Sequence, residues 1–334
     1  MTKTDTTAST QKRAMVRNCS VDRTLTILSD AWSFLVLREI YLGARRFDQI
    51  QAALHMPRST LSERLNSLVD HKVIRRDLIP ETKSRFDYRL TESGFDLYLV
   101  MLAMLRFGDD WLAGKKPPPL KLIHTACGHE SHPVTLCSAC NEPVDALRVT
   151  YRDGPGAGVS QSTAMSQRRR TGDVDTFERG RPSSVSRTLG ILADRWTFLI
   201  VREMFFGIRR FDALQERLGI ATNILTNRLN RLISQNILKR VKYSDAPERY
   251  EYKLTVSGRD LYLPLIQMLR WGDKWLGHKK PLILHHADCD KDFTPVVACD
   301  HCRQPLDPHD MHYYLTYGKR REDHPPALLS TPGK

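Results

Sequence analysis

The most specific chemistry in this chain sits in eight residues. CGHESHPVTLCSAC, 127–140, returns as CDKDFTPVVACDHC, 289–302. Each stretch holds three cysteines as C-x9-C-x2-C, and each follows a histidine three residues upstream. His124, Cys127, Cys137 and Cys140 form one set, and His286, Cys289, Cys299 and Cys302 form the other. Thiolates and an imidazole arriving as two pairs on separate turns are what a tetrahedral Cys3His zinc site requires. Structural zinc is therefore the expected cofactor, one ion for each copy. Two alternatives remain: reduced thiols that bind nothing, and a redox pair. The redox pair fits poorly, because Pro143 and Pro305 follow three residues after CSAC and CDHC, where a thioredoxin-like motif would open a helix. His129, His132 and His301 each occur in one copy and fall outside the repeated pattern.

Such ligands need a scaffold. KLIH, PVTLC and LRVTY around the first set read as short strands. They describe a ribbon too small to fold on its own core without metal.

The rest of the chain is also written twice. DAWSFLVLREIYLGARRFDQIQAAL, 30–54, matches DRWTFLIVREMFFGIRRFDALQERL, 194–218. The same offset joins YRLTESGFDLYL, 88–99, to YKLTVSGRDLYL, 252–263. It also joins RFGDDWLAGKKP, 106–117, to RWGDKWLGHKKP, 270–281. Two folding units follow, at 14–116 and 184–280, with Cys/His ribbons at 117–151 and 281–317. The Gly-, Ser- and Pro-rich stretch 152–183 reads as a flexible linker, and 1–13 and 318–334 as disordered ends.

Within one unit, Val21 to Asp30 suggests a first helix, and Trp32 to Leu42 a second that stops at Gly43. FDQIQAAL, 47–54, is a short amphipathic helix. After a break at HMP, RSTLSERLNSLVD, 58–70, carries Leu61, Leu65 and Leu68 on one face. A short helix, a tight turn and a longer helix make a helix-turn-helix. VIRRDLIPETKSRFDYRLT, 73–91, reads as a hairpin turning at Pro80 to Lys83, which is the position of a wing. A long apolar helix closes the unit at 93–111, with its twin at 257–275. The fold class is α+β: tandem winged helix-turn-helix domains, each followed by a small zinc-ribbon-like segment.

Four features resemble the HxlR-type family of bacterial winged-helix transcriptional regulators. They are the W-x-F-L-[VI]-[LV]-R-E helix, the G-x-R-R-F-D approach to the motif, S-T-L-S-E-R-L, and the Y-x-L-T step out of the wing. The resemblance covers roughly 19–116 and 183–280 and implies DNA binding and regulation of transcription. Typical members carry one unit and dimerise through terminal helices. This chain carries two, so helices 93–111 and 257–275 are expected to form an intramolecular pseudo-dimer, or a homodimer between chains.

A recognition helix presents the side away from its leucines to base edges. Ser59, Glu63 and Asn66 lie on that side of 58–70, flanked by Thr60 and Ser62. In 222–234 the face holds Asn223, Asn227 and Asn230, flanked by Thr226. Asn pairs with adenine and Glu accepts from cytosine N4, so two unlike half-sites are expected, the second richer in A·T. Phosphate contacts are expected from Arg45, Arg46, Arg58, Arg75 and Arg85, and from Arg209, Arg210, Arg240, Lys242 and Arg249. Lys83 in the first wing belongs to the same set.

Cys19 precedes the first helix. The resemblance implies a possible oxidant- or electrophile-sensing role there. The counterpart is Ser183, so the two units of one chain cannot join through this position.

Composition agrees with a nucleic-acid partner. A formal net charge of +13 over 334 residues favours a polyanion. The longest apolar run, Leu97 to Leu105, is too short to span a bilayer, and the N-terminus has no signal-peptide core, so a cytoplasmic protein is expected. No nucleotide fingerprint or catalytic triad pattern is present, so no enzyme is expected. The rival readings are a zinc-dependent protein-interaction scaffold and a thiol oxidoreductase.

Overall fold

The computed structural model describes residues 15–316, apart from 29, 81, 83–84, 115–116, 162–176, 178–180 and 193. The expected disorder at 1–13 and 318–334, and most of the expected linker, lie outside the described residues.

The first unit runs α1 (Ser20–Ile27), α2 (Ala31–Tyr41), α3 (Phe47–Leu54), α4 (Arg58–Asp70), then the hairpin β2 (Ile74–Leu78) and β3 (Phe86–Leu90). A short strand β1 (Met15–Arg17) precedes it and pairs with β8 (Val159–Gln161), which lies between the two units. Asp30 opens α2 by accepting from the Ser33 backbone N–H, which satisfies one otherwise orphaned donor. Gly43, at φ 94°, ends it. The turn of the helix-turn-helix places His55 in the left-handed region, φ 49°, where the second copy has Gly219 at 59°. Leu61, Leu65 and Leu68 are fully buried beneath α4.

The final helix departs from expectation. Instead of one rod over 93–111 there are two pieces, α5 (Glu92–Asp96) and α6 (Tyr98–Leu112), meeting at Leu97. Thr91 caps the first piece by accepting from the Gly94 N–H. Val100 N–H then bonds Leu97 O at 3.1 Å, a local tightening by one residue. The second unit repeats the design with α7 (Ser184–Ile191), α8 (Arg195–Phe205), α9 (Phe211–Leu218), α10 (Thr222–Ser234), β9 (Leu238–Asp245), β10 (Glu248–Leu254), α11 (Val256–Asp260) and α12 (Tyr262–Trp275). There Pro264 falls in the first turn of α12, where its missing N–H costs no intrahelical bond.

The two units share one core. Helices α6 and α12 touch, as the sequence suggests, but the larger contacts are crosswise: α1 packs on α12 and α7 on α6. Glycine permits the approach, since a Cβ on Gly108 would lie 2.2 Å from Ser184 O. Thr24 Oγ1–H donates to Met268 O at 2.9 Å, and its twin Thr188 donates to Met104 O at 2.7 Å. Trp271 donates to Ser93 O, Trp111 to Asp260, and Trp275 to Asp96, which also pairs with Arg270. On the pseudo-twofold axis Asp30 and Asp194 form an isolated antiparallel bridge, and the Phe34 and Phe198 rings stack at 6.2 Å.

The ribbon strands cross as well. β4 (Leu120–His124) pairs with β5 (His129–Ser131) of its own copy and with β14 (Met311–Leu315) of the other. β11 (Leu282–His286) pairs with β12 (Lys291–Phe293) and with β7 (Val149–Asp153). β6 (Val134–Cys137) pairs with β13 (Pro295–Ala298).

Candidate nucleic-acid interface and Cys/His clusters

Both recognition helices turn a polar face outward. On α4, Ser59, Ser62, Glu63 and Asn66 are exposed, and Thr60 is half-buried. On α10, Asn223, Thr226, Asn227 and Asn230 are all exposed. Two of these side chains also serve their own helix: Asn223 Oδ1 accepts from Ile224 N–H, and Thr226 donates to Thr222 O. Glu63 forms an ion pair with Arg64 at 2.9 Å.

Arg64 is a buried anchor of α4 that the leucine pattern does not reveal. It points inward, 5% exposed, and meets Asp30 Oδ2 at 2.6 Å. Arg228 and Asp194 repeat the pair. Each recognition helix is thereby fastened to the cap of the α2-type helix, and the two caps meet on the axis. The arrangement links both reading helices through side-chain pairs and backbone alone. The signal was present in the sequence as an Asp and an Arg at equal spacing in both copies.

The cationic residues divide into two groups. Arg75 is paired with Asp77, Arg210 with Asp212, Lys242 with Asp245 and Glu248, and Arg46 approaches Asp87 at 4.0 Å. The pairing with Asp212 holds the Arg210 pKa above its ordinary value. Arg58 lies over the Phe47 ring and Arg240 over the Tyr250 ring. Among the described residues Arg85, Arg209 and Arg249 are exposed without an ion-pair partner. Arg45 is half-buried, its pKa lowered by burial and by the neighbouring Arg89 charge. Lys83 lies outside the described residues. Each wing is tied to the loop before the motif, Tyr88 N–H to Arg45 O and Tyr252 N–H to Arg209 O.

The eight predicted ligands gather into two clusters, but not by copy. One holds His124 and Cys127 of the first copy with Cys299 and Cys302 of the second. The other holds Cys137 and Cys140 with His286 and Cys289. The sequence grouping is corrected here: each histidine-bearing turn faces the C-x2-C turn of the opposite copy. Within each cluster the donor atoms all lie within 4.8 Å of one another. His124 Nδ1 is 3.5 Å from Cys127 Sγ and 3.3 Å from Cys302 Sγ, and Cys127 Sγ is 3.9 Å from Cys299 Sγ. In the twin, His286 Nδ1 is 3.5 Å from Cys289 Sγ and 3.4 Å from Cys140 Sγ, with Cys137 and Cys289 sulfurs 4.0 Å apart.

Those distances fit the group. A tetrahedral ion with metal–sulfur bonds of about 2.3 Å and metal–nitrogen bonds of about 2.1 Å needs edges of roughly 3.6 to 3.8 Å. Both histidines are buried, and no thiol is engaged in a disulfide. Asp288 Oδ2 lies 3.5 Å from His286 Nε2, placing a carboxylate behind the ring while Nδ1 faces the sulfurs. The His129 and His301 rings meet at a tilt, centroids 3.5 Å apart, and His132 pairs with Asp110; none of them joins a cluster.

Cys19 lies apart from both clusters, 3% exposed, at the mouth of α1. It lines an apolar cavity of about 250 Å³ with Arg202, Phe205, Phe206, Tyr262 and Leu265. No helix among the described residues is long and apolar enough to cross a membrane.

A short helix, a left-handed turn, a leucine-backed second helix and a β-hairpin, present twice, define a tandem winged helix-turn-helix protein. The model of the HxlR-like helix-turn-helix family matches residues 27–116 and again 191–280. The chain belongs to that family and is a helix-turn-helix transcriptional regulator, not an enzyme. It is 40% identical over 134 residues to the uncharacterized HTH-type transcriptional regulator Rv3095 of Mycobacterium tuberculosis, covering 40% of this chain and 85% of that one. It is 40% identical over 95 residues to the regulator sll1512 of Synechocystis, covering 28% and 70%. Among solved structures, the reduced form of the transcriptional regulator YodB from Bacillus subtilis shares 26% identity, with a TM-score of 0.26 over 28% of this chain and 92% of that one.

Proposed function

We propose that this regulator reads two unlike half-sites on duplex DNA with one polypeptide. The observation that carries the reading is the pair of exposed polar faces on α4 and α10, each backed by three fully buried leucines and joined through Arg64–Asp30 and Arg228–Asp194. Ser59, Thr60, Ser62, Glu63 and Asn66 address one half-site. Asn223, Thr226, Asn227 and Asn230 address the other. Crosswise packing of α1 on α12 and α7 on α6 supports the intramolecular pair as the working equivalent of a dimer. Arg85, Arg209 and Arg249 are the strongest phosphate candidates, because among the described residues their charge is uncommitted to an acidic neighbour. The eight Cys and His ligands hold structural zinc, which supplies folding energy to the ribbons and no catalysis.

In vitro selection from random duplexes tests this reading. Two different half-sites at fixed separation are expected. A strict palindrome, or no enrichment over random DNA, overturns it.

A further inference from the structure

We propose that the two zinc ions are interlocks between the repeats, each ion held half by one copy and half by the other, so that metal loading governs DNA affinity. The last link rests on the DNA-binding reading above; the first does not.

The ligand turns come from different copies in both clusters. The strands that carry them are crossed in the same sense. His124 sits opposite Met311, and His286 opposite Val149, in sheets built from both copies. Cys137 sits opposite Pro295 in the strand pair that joins the two ribbons. Neither ribbon can therefore complete a coordination shell, or a sheet, from its own copy.

The interlock reaches the reading units. Tyr313, on a second-copy strand, donates to Leu42 O at the end of α2. Tyr151, on a first-copy strand, meets the Phe206 ring edge-on at 4.8 Å at the end of α8. Each ribbon thus rests on the opposite winged unit, at the end of the helix whose cap anchors a recognition helix. Binding a zinc dication converts three thiols to thiolates, and their three protons pass to solvent. A four-coordinate ion then fixes the two copies at one separation. Without it the crossed strands are joined by their backbone pairing, and the ligand thiols lose their common partner.

Zinc counting on paired variants of the full chain decides the crossing. The wild type carries two zinc per chain. Cys127→Ser with Cys302→Ser disables one crossed cluster and leaves one zinc. Cys127→Ser with Cys140→Ser disables both and leaves none. Grouping by copy inverts these counts, so none in the first pair and one in the second overturns the proposal. Cobalt substitution checks the ligand set independently: thiolate-to-metal charge-transfer bands and tetrahedral ligand-field bands are expected, and their absence counts against it. After zinc removal by a chelator, amide exchange at 120–124, 282–286 and 311–315 is expected to speed by at least tenfold, and affinity for the selected two-half-site duplex to fall by at least tenfold. Both recover on adding zinc. Unchanged exchange or unchanged affinity in metal-free protein overturns the interlock. If the zinc-loaded protein binds no duplex while the paired counts hold, it is the DNA reading that fails.

Discussion

The two winged units differ on the outer faces of α4 and α10 and agree directly beneath those helices. Leu61, Leu65, Leu68, Arg64 and Asp30 have identical counterparts in Leu225, Leu229, Leu232, Arg228 and Asp194. On the reading face, Ser59, Glu63 and Asn66 stand against three asparagines. The second hairpin is also longer, with strands of eight and seven residues against five and five. A homodimer must present the same residue twice because its subunits are symmetric. Joining two copies in one chain removes that constraint, and the divergence falls on the faces proposed to read DNA.

The interiors also differ around one pair of equivalent cavities. Arg38 and Arg202 occupy equivalent cavities, but the cavity at Arg38 is about 50 Å³ and the one at Arg202 about 250 Å³. Tyr41 hydrogen-bonds Gly94 O beside the smaller one, where the second copy has Phe205 without a hydroxyl. Arg38 also donates to Ser186, whose counterpart Asp22 is instead paired with Arg195.

The sharpest way to break the inward agreement is Asp30→Ala. It leaves the buried Arg64 guanidinium without its main partner, so a stability loss of about 3 kcal/mol is expected in denaturant titration. Asp194→Ala should cost a comparable amount. A loss below about 1 kcal/mol for both would mean the anchor contributes little.

Next in size is an exchange of reading faces. Asn66 already matches Asn230, so the double variant S59N/E63N gives α4 the three central asparagines of α10. Selection should then return a site closer to a palindrome. Discrimination at the altered base pairs should shift by about 1–3 kcal/mol for each contact. An unchanged selected site would show that these side chains do not read bases.

A smaller effect is tied to pH. Burial raises the Asp109 pKa to about 6, against the opposing pull of the Ser184 hydroxyl and the His132 and Arg187 charges. A carboxyl that is more basic in the folded chain favours folding when protonated. That contribution is full below about pH 4, the ordinary carboxylate range, and is lost as pH rises through 6. Asp109→Asn keeps an acceptor for Ser184 and should flatten this slope, gaining on the order of 1 kcal/mol at pH 8 relative to wild type. Melting temperatures at pH 5 and pH 8 check the sign. The second copy offers a control in Asp273, also raised by burial and bonded to Ser20.

The smallest effect concerns the first residue before each unit's opening helix. Ser183 caps α7 through its side chain, whereas Cys19 makes no such bond to α1. Cys19→Ser should therefore stabilise by about 0.5 kcal/mol through the added cap. The same variant tests oxidant sensing, because DNA binding that stays sensitive to oxidant after the change excludes this thiol as the sensor.

Periodicity and capping were enough to place most elements. The ranges 47–54, 58–70 and 222–234 coincide with α3, α4 and α10, because leucine spacing and adjacent breaks act over a few residues. The divided final helix was not legible, since its apolar stripe continues unbroken through Leu97, where the backbone tightens by one residue. The eight metal-binding candidates were legible as a set. Their partition was not.

By itself, the sequence determined that two copies of one winged unit exist, which helix offers a polar face, and which side chains are soft ligands. These follow from local spacing and residue chemistry. Only the tertiary structure decided that each Cys/His cluster spans both copies, that Arg64 and Arg228 turn inward to the helix caps, and that one of two equivalent cavities is several times larger than the other. The physical reason is the repetition itself. Near-identical segments offer the same ligands at the same spacings, so no one-dimensional pattern separates a partner within a copy from its twin in the other; only the packing of α1 on α12 and α7 on α6, which brings opposite ribbons together, makes that choice.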